Sequence, residues 1–135
     1  MITAAMNPDL TTARAQKLRV EIADDSARHE IYRLRHAVYA AELHQHAVNE
    51  SLTLRDDLDA VNTYITVRRG NEMLGFISVT PPSHGRFSID KYLRRDSLPF
   101  AVDARVFEVR LLTVVPGSRH SVVAEIGRAS CRERV

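Results

Sequence analysis

From Val106 to Val114 the chain reads VFEVRLLTV, a run of β-branched and large apolar residues with charge only at Glu108 and Arg110, and at Pro116-Gly117 it breaks. Such a run, bounded by a Pro-Gly pair, predicts a strand. Beyond the break Ser118 suits an N-cap, and Arg119 to Ala124 would form the first turns of a helix, whose leading N–H groups lack intrahelical partners. A strand that feeds a loop and a helix N-terminus aims those donors at one place, which is how a chain holds a phosphate. The other elements must be arranged around this strand.

At 135 residues the chain is long enough for one domain with a real core and too short for two. Its 44% hydrophobic and 27% charged residues are those of an ordinary globular protein, and no apolar run reaches the ~20 residues of a membrane span. The opening stretch, MITAAMNPDLTTARAQK, lacks the apolar core of a signal peptide, so a cytoplasmic location is expected. The net charge of +2 invites a nucleic-acid reading. The last ten residues hold three Arg and one Glu, however, and without them the basic and acidic side chains are equal in number. With no basic stripe interleaved with aromatics elsewhere, nucleic-acid binding is not expected.

Taken in order, residues 1–16 carry no periodicity and read as a loose extension. Lys17 to Ala23 alternates as a half-buried strand, with Leu18, Val20 and Ile22 on one face. Asp24-Asp25-Ser26 supplies N-cap chemistry for a helix from about Ala27 to His44. Within it Ile31, Leu34, Val38 and Ala41 should face a sheet, and Arg35, beside Tyr32 and Tyr39, should sit at the rim of a pocket. The reading weakens from Gln45 to Ala60, where Asp56-Asp57-Leu58-Asp59 stands out. Asn62 to Arg69 and Met73 to Thr80 read as a hairpin turning at Gly70-Asn71 and stopped by Pro81-Pro82. Ser88 to Arg95 reads as a short helix in an excursion that closes at Pro99. Strand, helix, hairpin, excursion, strand, helix is the order of an α/β or α+β layered fold without repeats.

These motifs carry a resemblance. The string from Val114 to Ala124, V-x-P-x-x-R-x-x-V-x-A, resembles the acyl-CoA-binding segment of the GCN5-related N-acyltransferases, with Arg119 and Ala124 on the signature and Val122 where the family has Gly. The order of elements is similar to the first half to two-thirds of that fold, a central mixed sheet flanked by helices, over residues 17–124. The autoinducer-synthase-like branch and the related N-acyl amino acid synthases look most alike. They carry R-x-x-x-(aromatic) on a helix, matched by Arg35 and Tyr39, then Asp-x-x-Asp, matched by Asp56 and Asp59, then Glu-x-Arg on a strand, matched by Glu108 and Arg110. The homoserine-lactone synthases have an Arg where this chain reads Gly75-Phe76-Ile77-Ser78, and a loop Trp where it has none.

The resemblance implies an N-acyltransferase that moves an acyl group from acetyl-CoA or a longer acyl-CoA directly to an amine, without a metal. Glu108 would be the base or amine-positioning carboxylate, with Arg110 orienting it or an acidic acceptor. The alternative for this pair is a cross-strand ion pair on a half-solvated sheet. Arg119 and the N–H groups of His120, Ser121, Val122, Val123 and Ala124 would cradle the pyrophosphate, and the backbone of Leu112, Thr113 and Val114 would hydrogen-bond the pantetheine arm as an added strand. Otherwise Arg119 is an exposed first-turn arginine. Arg35, Tyr39, Asp56 and Asp59 would bind the acceptor, or the two aspartates are solvated loop acids. An acyl carrier protein as donor would need a basic patch, for which Arg68, Arg69, Arg94 and Arg95 are the candidates. A binding domain that kept the fold without catalysis is the reading of another class. His44-x-His46 is too slight for a metal site, and no P-loop, Rossmann glycine pattern or GxSxG elbow is present.

The tail, Glu125 to Val135, reads EIGRASCRERV and resembles the translation of a short-read sequencing adapter, so authentic protein is expected to end near Ala124 or Glu125. Cys131 falls inside it and implies neither a disulfide nor a catalytic thiol. The family continues with further strands, a helix and often a Tyr that protonates the leaving thiolate. The chain is therefore expected to carry part of a site, to be weakly stable alone, and to offer an unpaired strand edge that favours a homodimer.

Overall fold

The computed structural model describes residues 17–119 and 126–128. The expected loose extension, the N–H cradle from His120 to Ala124 and most of the tail lie outside the described residues. Four strands form one sheet in the order β1-β2-β3-β4: β1 Leu18–Ile22, β2 Thr63–Arg69, β3 Glu72–Thr80 and β4 Glu108–Val114. All three pairings are antiparallel, so the described part is an α+β sheet rather than the mixed sheet expected from the resemblance.

The hairpin follows its sequence. Arg69 pairs with Glu72 across Gly70-Asn71, and Gly70 takes a φ of 59°, which an L side chain adopts only at a cost. Between β1 and β2 lies α1, Asp25–Arg35, capped by Asp24, whose carboxylate accepts from the Ala27 N–H at 2.8 Å. The predicted single helix changes character after Arg35: His36–Glu42 is a π-helix, with the Leu43 N–H reaching back five residues to the Val38 carbonyl at 2.8 Å. A wider turn shifts the phase of every side chain after it. That shift buries Ala40 and leaves Ala41 exposed, where straight helical spacing had placed Ala41 against the sheet.

The sheet has two different faces. On one, α1 lays Ala27, Ile31 and Tyr32 over Tyr64, Met73 and Phe76. On the other, Ile65, Val67, Leu74, Ile77 and Val114 pack with Ile126. Ile126, which the adapter resemblance assigned to a foreign tail, is fully buried in this second cluster. Leu18, Val20 and Ile22 share that second face by register, yet Val20 is 38% and Ile22 55% exposed. Ile126 packs over β2, β3 and the end of β4, and no described residue beyond it covers β1. The half-buried strand read from alternation is therefore an open edge.

In β4, Thr113 pairs with Phe76 and Arg110 with Ser78, so Leu111 and Leu112 together oppose Ile77. Leu111 carries the irregularity in a left-handed conformation, φ 56°. The extra residue re-phases the strand: Thr113 lies on the same face as Arg110, although the two are an odd number of residues apart. Among the described residues β4 pairs on one side only, with β3.

Candidate functional site

A cleft of about 350 Å³ opens between α1 with its π-helical continuation, the 45–56 segment, the turn at 88–92 and β4. Arg35, Tyr39, Asp56 and Arg110 line it, so three of the residues expected to bind the acceptor and one of the expected catalytic pair meet in one place. They come from three stretches: Arg35 and Tyr39 from the helix, Asp56 from an irregular loop, Arg110 from the strand.

A chain of charges joins them. Arg35 is only 3% exposed and grips Asp59 through one guanidinium nitrogen at 2.7 and 2.9 Å, while another reaches Asp56 at 3.2 Å. Arg110 holds Asp56 from the other side at 2.8 and 3.0 Å. Burial works against the charge on Arg35, but Asp59, Tyr64 and Asp56 hold its pKa above the ordinary value. Burial likewise opposes the charge on Asp56. Its hydrogen bond to Arg110, the charges of Arg110 and Arg35, and the Leu58 N–H hold its carboxyl below the usual aspartate range.

Asp59 does not meet the expectation of an acceptor-binding carboxylate. At 1% exposure it lies behind Arg35, accepting also from the Asp56 N–H at 2.6 Å and from the Tyr64 hydroxyl. Burial, then the bond to Asp59, push the Tyr64 phenol up. Asp59 therefore positions Arg35 and cannot reach a ligand in the cleft. Asn62, 2% exposed, continues the chain: with its amide oriented to satisfy its neighbours, it donates to Thr80 Oγ1 at 2.6 Å and accepts from Ser78 at 2.9 Å and Arg110 at 3.2 Å.

Glu108 and Arg110 lie on one face, as their spacing requires, but they do not pair with each other. The Glu108 carboxylate accepts from the Ser88 N–H at 2.7 Å, the Ser88 hydroxyl at 2.9 Å and the Ile89 N–H at 2.9 Å. It thereby ties down the first turn of the short helix Ser88–Lys91, the wall of the cleft that carries Ser88, Lys91 and Tyr92. The two residues therefore do not form the simple cross-strand ion pair.

At the far end of β4 the Tyr39 hydroxyl and Thr113 Oγ1 share a hydrogen bond of 3.1 Å, which fixes the π-helix against the strand. Arg119 is half exposed and paired with Glu42 at 2.8 and 3.1 Å, with its Nε 3.4 Å from the Val114 carbonyl. Three of the four arginines named for a basic docking patch pair with carboxylates. Arg68 is buried between Glu21 and Glu30, Arg94 pairs with Asp96, and Arg95 with Asp90.

Sequence reasoning gave no role to two features of the cleft: the Arg55 guanidinium stacked 4.8 Å over the Tyr32 ring, and His46 on the lining. A local signal existed only for His46, in the His44-x-His46 pair. Arg35, Arg55, Lys91 and Arg110 face a single lining carboxylate, Asp56, so the cleft is electropositive and suits an anionic group. Among the described residues no cluster of metal-ligating side chains occurs, and no helix is long and apolar enough to cross a membrane. No family model, curated protein or solved structure matches the chain.

Proposed function

We propose that the cleft is the acceptor side of an acyl-transfer site and that the protein is an N-acyltransferase using an acyl-CoA. The observation that carries this reading is convergence: the Arg35/Tyr39, Asp56 and Arg110 motifs, up to 75 residues apart in the chain, line one cleft beside the irregular stretch of β4. An edge strand offers backbone N–H and C=O groups to an extended amide-bearing arm, and β4, unpaired on one side among the described residues, presents Leu112, Thr113 and Val114 in that way. A pantetheine arm laid there would bring its thioester to the bulge at Leu111, which lines the cleft.

Arg119 would leave Glu42 to take a pyrophosphate. An exposed ion pair of this kind stabilises by under ~1 kcal/mol, so the exchange is easy. Arg35, Arg55, Lys91 and Arg110 on the lining favour an acceptor that brings its own carboxylate. The pairing of Arg68, Arg94 and Arg95 with carboxylates favours coenzyme A over a carrier protein as donor. The test is to incubate the chain with acyl-CoAs from acetyl to dodecanoyl and a panel of amines with and without a carboxylate, reading thiol release and amide mass. Amide formation that falls with Arg110→Gln supports the reading. Binding of acyl-CoA without any amide supports the non-catalytic alternative, and no binding at all overturns both.

A further inference from the structure

Transfer to an amine needs a group that removes its proton, and the carboxylate expected in that role is spent elsewhere. Glu108 accepts three hydrogen bonds from Ser88 and Ile89 and is not on the cleft lining. The only lining carboxylate is Asp56, clasped by Arg35 and Arg110 and held below the ordinary aspartate range. Such a carboxylate is a poor proton acceptor. The other charged lining groups, Arg35, Arg55, Lys91 and Arg110, are cations, and Tyr39 and Tyr92 are phenols. One lining group remains whose ring nitrogen can accept a proton from an ammonium and hand it on, the imidazole of His46.

The backbone holds His46 there. His44 adopts a left-handed conformation, φ 54°, which turns the chain back over the end of the π-helix. The Gln45 and His46 N–H groups then both donate to the Tyr39 carbonyl, at 2.8 and 3.2 Å. Tyr39 is the residue whose hydroxyl touches Thr113 on β4, so His46 is tied to the part of the helix that meets the strand. Its side chain makes no hydrogen bond among the described residues, which leaves a ring nitrogen open to substrate.

We infer that His46 is the catalytic base of the cleft and that Glu108 is a positioning residue that fixes the wall at 88–92. The inference rests on the acyl-transfer reading above. In the reaction the ammonium of the acceptor gives one proton to the imidazole. Its nitrogen then attacks the thioester carbon, forming the C–N bond. Collapse breaks the C–S bond, the departing thiolate takes the second amine proton, and the imidazolium returns the first to water.

The experiment is the pH profile of kcat/KM for the whole chain with octanoyl-CoA and the best acceptor from the amine panel. The wild-type profile should show one acid limb, and His46→Gln should remove that limb and lower the rate at pH 7 by about 10²-fold or more. Added imidazole should restore activity to His46→Ala. Glu108→Gln keeps an oxygen acceptor for the Ser88 turn, so it should raise KM and keep the acid limb. An unchanged profile in His46→Gln, or an acid limb lost in Glu108→Gln alone, overturns the inference while acyl transfer stands. Absence of amide from wild type overturns both.

Discussion

The apolar cluster around Ile126 and the cleft are held by different physics. On the Ile126 side, Ile65, Val67, Leu74, Ile77 and Val114 form a cluster in which each contact is weak, non-directional and replaceable by a group of similar volume. Toward the cleft, Tyr64, Asp59, Arg35, Asp56 and Arg110 form a directional chain in which each member is hydrogen-bonded to the next. Truncating an apolar side chain leaves a void. Truncating an ion leaves its partner charged and buried with nothing to answer it. A candidate binding cleft has to keep polar groups at fixed places out of water, so it depends on the second kind of order.

The largest test of this contrast is Asp59→Ala, which leaves the buried Arg35 with only its longer, 3.2 Å contact to Asp56. It should cost about 3–5 kcal/mol in urea unfolding, and the paired replacement Arg35→Met/Asp59→Leu should cost clearly less. Equal losses would mean that packing, not charge, holds this side. Next, Leu74→Ala on the apolar face should cost about 2–5 kcal/mol by leaving a cavity. Gly75→Ala should cost about 1–3 kcal/mol, because its new Cβ would stand 2.7 Å from the Thr113 carbonyl and 3.2 Å from Ile126 Cδ1. A neutral Gly75→Ala would show that β3 and β4 separate freely.

pH separates the two regions further. Asp56 has a folded pKa below its unfolded one, so its contribution is complete above the ordinary aspartate value and is lost as pH falls through the folded one. Tyr64 has its pKa raised, so its contribution is complete below the ordinary phenol value near 10 and is lost as pH rises beyond it. Denaturant midpoints from pH 2 to 11 should fall at both ends, and Asp56→Asn should flatten the acid side. The smallest effect is expected at the open edge. Ile22→Thr, 55% exposed, should stay within about 0.5 kcal/mol, and a larger loss would reveal a cover over β1.

Much of the fold was legible because its signals are local. The hairpin with its Gly70 turn, the Asp24 cap and the stop at Pro81 each follow from a few adjacent residues. Ala41 failed because a π-helix differs from an α-helix by one hydrogen-bond step, which side-chain periodicity over two turns does not register. For the site, the resemblance grouped Arg35, Tyr39, Asp56 and Asp59 as one set and Glu108 with Arg110 as another; Arg35, Tyr39, Asp56 and Arg110 line one cleft, while Asp59 lies behind Arg35 and Glu108 holds the Ser88 turn.

The sequence by itself determined which segments are strands, where the first helix starts and where the hairpin turns, since alternation, caps and turn residues act over a handful of positions. Tertiary structure alone decided what each charge is for. Arg110 meets Asp56 across 54 residues, Arg35 meets Asp59 across 24, and Glu108 finds the Ser88 turn across 20. A carboxylate's role depends on whether donors or solvent surround it, and those surroundings come from segments distant in the chain, brought together only when the sheet closes against α1.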